Sequence, residues 1–118
     1  MINQTRTHTI EPGITVFAIT GRLSLGNTLQ SIESSLKKLI DAGSRKLVVD
    51  LTELNYIDSA GIGMLVGTNG LIEQAGGTMR VAGAQGLVAK SFAVVHIDRI
   101  LALDPDVDSS TKTMAAGA

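Results

Sequence analysis

Residues Lys46-Leu47-Val48-Val49-Asp50-Leu51 form a nearly unbroken apolar run between two segments patterned as helices. A strand with one wet face alternates apolar and polar residues. A strand that is apolar at successive positions needs cover on both faces, as in a parallel sheet flanked by helices. Before this run, apolar residues recur at Leu25, Leu29, Ile32, Leu36, Leu39 and Ile40. That spacing is helical, with Ser24 and Asn27 as candidate caps and Gly43 as the stop. After it, Ile62, Leu65, Val66, Asn69 and Ile72 mark a second helix face, which Gly76-Gly77 ends.

The remaining segments fit the same frame. Thr7 to Ile10 and Ile14 to Thr20 read as strands around the turn Glu11-Pro12-Gly13, hence a hairpin. Met79 to Gly83 reads as another strand. Leu87, Val88, Phe92 and Val95 stripe a third helix, and Ile100 to Leu103 is a last short strand closed by Asp104-Pro105. The order β-β-α-β-α-β-α-β predicts an α/β fold: one domain, a mixed and mostly parallel sheet with an N-terminal hairpin, and helices packed on it. All 118 residues are expected in that domain, with a core over about 7–103. Residues 104–118 read as a weakly ordered tail or short helix.

Composition excludes several functions. The net charge is -1 and the basic residues are scattered, so no field gathers nucleic acid. Phe17, Tyr56 and Phe92 are the only aromatics, too few for a base-stacking platform. There is no cysteine for a disulfide or a thiolate metal site. The first residues lack the apolar core of a secretory signal, and no apolar run approaches the ~20 residues that span a bilayer. A cytoplasmic protein without membrane contacts is expected.

Enzyme signatures are missing as well. Gly61-Ile62-Gly63 is followed by Met64-Leu65-Val66, so the dinucleotide fingerprint fails at its last glycine. No phosphate-binding G-x-x-x-x-G-K-[ST] loop occurs, and Ile57 stands where a nucleophile elbow needs glycine. His8 and His96 lie far apart with no nucleophile to serve. Asp104, Asp106 and Asp108 lack the glycine and the closing glutamate of a calcium loop. No catalytic residue, cofactor or metal is expected.

Asp58-Ser59-Ala60-Gly61 carries the chemistry that remains. The polar connector Thr52-Glu53-Leu54-Asn55-Tyr56-Ile57 leads into it, and the second helix begins there. Two readings stay open. Either Asp58 or Ser59 is simply the N-cap, or Ser59 is a phosphoacceptor at the electropositive helix end, where an added phosphate changes a binding surface. The small residues Ala60, Gly61 and Gly63 permit either close approach by another chain or tight helix-on-sheet packing. Tyr56 is either an interface anchor or a rim packing residue, and Met64 either a contact or core filler.

These pieces, LVVDL (47–51), TELNYI (52–57), DSAGIGMLV (58–66), GRL (21–23) and GGTMRVAG (76–83), together resemble the STAS domain, shared by anti-sigma-factor antagonists and sulfate transporters. The resemblance spans about 7–103 and is similar to the stand-alone bacterial antagonists. It implies a partner-switching regulatory protein, not an enzyme. In that family the DSxG serine, here Ser59, is phosphorylated by an anti-sigma factor that is also a serine kinase. The unphosphorylated antagonist binds that kinase and so releases a sigma factor, and a serine phosphatase resets it. The implied partner surface is Asn55, Tyr56, Asp58, Ser59, Gly61, Ile62 and Met64, on a monomer or weak homodimer. The alternative is a STAS subunit of another assembly, stressosome-like or lipid-transporting. Two departures accompany the resemblance. Ser24 stands where the family often has an acidic residue, and the tail is poorly patterned for the family's longer amphipathic C-terminal helix.

Overall fold

A computed structural model describes residues 4–116. The strands are β1 (Gln4–Ile10), β2 (Ile14–Leu23), β3 (Lys46–Asp50), β4 (Leu54–Ile57), β5 (Thr78–Ala82) and β6 (Ala102–Asp104). The α-helices are α1 (Asn27–Asp41), α2 (Ser59–Gln74), α3 (Gly86–Val94) and α4 (Val107–Ala116), with a 3₁₀ turn at Ile97–Arg99. The sheet runs β1-β2-β3-β5-β6. The β1–β2 hairpin is antiparallel; β2–β3, β3–β5 and β5–β6 are parallel. This is the α/β fold with a mixed, mostly parallel sheet that the alternation of elements predicts.

The apolar run in β3 has a direct explanation. Leu47, Val48 and Val49 are all fully buried. Leu47 and Val49 join the large core formed with α1, α2 and α3, while Val48 faces the opposite side with Ile14, Val16, Ala82 and Met114 of α4. Each strand residue points to the face opposite its neighbour, so an unbroken apolar run marks a strand covered twice.

Two expectations need correction. The connector 52–57 contains a strand: β4 pairs in parallel with the tail of β2 through Gly21–Leu54, Arg22–Tyr56 and Leu23–Ile57. Ten-residue β2 thus serves β3 along its first half and β4 beyond it. Leu25 lies outside α1; Gly26 is the N-cap, which leaves Leu25 80% exposed and removes Ser24 from the capping role. Of the two readings of 104–118, a weakly ordered tail or a short helix, the described residues form the helix: α4 (Val107–Ala116), docked on the sheet. Arg80 of β5 grips Asp104 of β6 through two hydrogen bonds, Nε at 2.6 Å and an Nη at 3.1 Å, and Ser110 Oγ of α4 donates to the same carboxylate at 2.5 Å. Ser110 and Met114 are buried there. A bidentate arginine–carboxylate pair is directional as well as charged, and it holds the Asp104 carboxyl below the usual carboxylate range.

Candidate functional site

Pairing of β4 with the end of β2 decides where α2 begins. The backbone N–H of Asp58 donates to Leu23 O at 3.2 Å, which anchors the strand-to-helix corner against β2. Asp58 has extended backbone, and its side chain is the N-cap: Oδ1 accepts from Gly61 N–H at 2.9 Å. The other oxygen, Oδ2, accepts from Leu25 N–H at 3.0 Å. One carboxylate therefore closes the first turn of α2 and pins the loop between β2 and α1. These N–H donors, Gly61 first and then Leu25, hold the Asp58 carboxyl below its ordinary value of 3.8, against a smaller opposing effect of burial.

This resolves the capping alternative in favour of Asp58. Ser59 is the first residue of α2 and is exposed. Among the described residues its hydroxyl has no hydrogen-bond partner, so it holds nothing together. Asn55 is also exposed, and Tyr56 and Ile62 are half-buried. The Arg22 guanidinium lies over the Tyr56 ring, 4.1 Å from its centroid, a cation–π contact.

Two expected surface residues are inside. Met64 is 5% exposed and packs in the main core. Gly61 is buried because the Leu23 carbonyl oxygen and Ile57 Cγ1 occupy the space a Cβ would need. The small residue at 61 serves helix-on-sheet packing. Gly63, by contrast, is exposed with open space around it.

The structure adds residues that spacing alone misassigns. A groove of about 440 Å³ separates the start of α2 from α3; Tyr56, Asp58, Ser59 and Ile62 line one wall, and Leu87, Lys90, Ser91, Val94 and Val95 the other. Val88 and Phe92 point inward, leaving Leu87 62% and Val94 78% exposed on the groove side. The stripe Leu87, Val88, Phe92 and Val95 is therefore split: Val88 and Phe92 are buried, Leu87 and Val95 exposed. In so short and apolar a helix, spacing does not show which residues face in. Leu25, on the loop pinned by Asp58, is another bare apolar side chain tied to this corner.

Removing the cap gives the first test. Asp58→Ala should cost about 1–2 kcal/mol at neutral pH, or roughly 5–10 °C in melting temperature for a domain of this size. Because the folded carboxyl titrates below the unfolded one, the contribution is present above the ordinary value of 3.8 and is lost as the pH falls below it. Melting curves at pH 7 and pH 3 should therefore show the gap between wild type and Asp58→Ala narrowing in acid. An equal gap at both pH values would contradict the capping geometry.

A family model described as the STAS domain matches residues 6–110. A crystal structure of an anti-sigma factor antagonist from Mycobacterium paratuberculosis superposes with a TM-score of 0.81 at 17% identity, covering 94% of this chain and 92% of that one. SpoIIAA, an anti-sigma factor antagonist, in its unphosphorylated form superposes with a TM-score of 0.75 at 14% identity, covering 98% and 100%. The phosphorylated form of SpoIIAA, described as a Bacillus cell fate determinant, gives 0.72 at 15% identity, covering 94% and 99%. At these identities the likeness is one of fold.

Proposed function

The chain belongs to the STAS domain family, and on that premise we propose that it is an anti-sigma-factor antagonist switched by phosphorylation of Ser59. Unphosphorylated, it binds an anti-sigma factor that is also a serine kinase, and the sigma factor is released. The observation that carries this reading is the Ser59 hydroxyl itself: exposed, without a hydrogen-bond partner among the described residues, and set at the edge of a groove with bare apolar side chains. The solved forms of SpoIIAA, phosphorylated and unphosphorylated, share this fold.

The division of labour follows from the local hydrogen bonds. In the transfer, Ser59 Oγ attacks the γ-phosphorus of ATP held by the kinase, ADP leaves, and the hydroxyl proton goes to a base. Asp58 is a poor base, since both of its oxygens already accept backbone N–H bonds and its proton affinity is lowered. The base therefore comes from the kinase, and this chain acts as acceptor and not as enzyme. A serine phosphatase reverses the step. The added charge, roughly -1.5 to -2 at neutral pH, sits beside the Asp58 carboxylate. Ser59 supports no other group, so the modified protein keeps its fold.

The test uses the kinase captured from the native cells on immobilised Ser59→Ala protein. Incubated with that kinase and ATP, the wild-type chain should gain one phosphate, and peptide mapping should place it on Ser59. Phosphate on Ser24 or Ser91 with Ser59 unmodified would overturn the assignment.

A further inference from the structure

Across the groove from Ser59 stands Lys90, exposed on α3 between the apolar Leu87 and Val94. Among the described residues it has no ion-pair partner. It is the sole cation among the groove's lining residues, and Asp58 is the sole anion. Arg22 lies nearby over the Tyr56 ring and does not line the groove. The wall that faces the phosphoacceptor thus carries one mobile ammonium on a long, flexible stem.

We propose that Lys90 reads the state of Ser59: its ammonium pairs with a carboxylate of the docked partner when Ser59 is free, and with the phosphate when Ser59 is modified. This rests on the reading of Ser59 as the switch. A lone ammonium ringed by exposed Leu87 and Val94 fits a partner segment that presents an apolar side chain beside an acidic one. Phosphorylation then acts twice. It places an anion at the rim of the groove, and it occupies the one cation a carboxylate-bearing partner would use.

The first experiment needs no partner. Phosphoserine is installed at position 59 during synthesis, and the second ionisation of its phosphate is followed by phosphorus NMR in wild-type and Lys90→Gln backgrounds. An adjacent cation favours the dianion. Asp58 pushes the other way in both proteins, and Arg22 is common to both, so the difference isolates Lys90. The phosphate pKa should rise by about half a unit or more in Lys90→Gln and stay near the wild-type value in Lys90→Arg. Equal titration in wild type and Lys90→Gln would overturn the phosphate pairing.

The second experiment titrates the captured kinase with unphosphorylated protein. Lys90→Gln should weaken binding about tenfold, and Lys90→Glu more, with melting temperatures unchanged because Lys90 is exposed. Wild-type affinity in Lys90→Glu would overturn the carboxylate pairing. Either failure leaves the Ser59 switch standing if phosphorylation still releases the kinase. If phosphorylation releases nothing while the phosphate titration still responds to Lys90, the switch fails and the pairing survives.

Discussion

Gly61→Ala should lower the melting temperature by about 10 °C or more, or leave the chain unfolded. In an open helix, alanine in place of glycine stabilises by ~1 kcal/mol. Here the new methyl group would overlap the Leu23 carbonyl oxygen and crowd Ile57 Cγ1. Neither neighbour yields easily. Leu23 O is backbone, ends β2 and accepts the Asp58 N–H bond; Ile57 is buried at the end of β4. Overpacking in a close-packed interior typically costs 1–3 kcal/mol, and more where backbone must shift. The helix would have to lift off the sheet at the very corner that presents Ser59, so partner binding should fall with stability. Gly67→Ala is the matched control. Gly67 is also in α2 but faces open space, and its alanine variant should melt slightly higher than wild type. If both variants melt alike, the packing of α2 against the end of β2 is misdescribed.

That corner shows how much a sequence discloses. The twice-covered strand β3 is legible because its apolar run has one simple cause. The hairpin and the three helices that follow it are legible for similar local reasons. Strand β4 is not, because Leu54-Asn55-Tyr56-Ile57 is four residues long and its partner is the far end of a strand already paired with β3. The constraint on Gly61 is equally hidden. Its backbone is ordinary helix, and the requirement comes from a carbonyl thirty-eight residues earlier in the chain. Helix α4 looks unpatterned because much of its docking is polar, through Ser110, Asp104 and Arg80, with Met114 as an apolar anchor. The motif Asp58-Ser59 could be read, but its roles could not be divided between two good capping residues. The hydrogen bonds divide them: Asp58 caps, and the Ser59 hydroxyl bonds to nothing among the described residues. Lys90 and Leu25 carry no motif, and only the folded chain brings them to the site.

A negative charge at position 59 should weaken kinase binding at least a hundredfold, which corresponds to about 3 kcal/mol. Three effects combine. A phosphate or an aspartate at the rim must be desolvated when a partner closes over it. It stands next to the ionised Asp58, which a partner already has to accommodate. It also faces apolar side chains, Ile62, Leu87 and Val94, that favour an uncharged partner surface. The fold has no reason to change, because Ser59 is exposed and its hydroxyl bonds to nothing among the described residues. Ser59→Asp and Ser59→Ala should therefore melt within about 0.5 kcal/mol of wild type, as surface changes usually do.

Calorimetric titration of the captured kinase with three proteins, unmodified, Ser59→Ala and Ser59-phosphorylated, tests the switch most directly. Near-equal affinities for the first two and a loss of a hundredfold or more for the third are the predicted result. Binding of the phosphorylated protein at the strength of the unmodified one, with its fold intact, would contradict it.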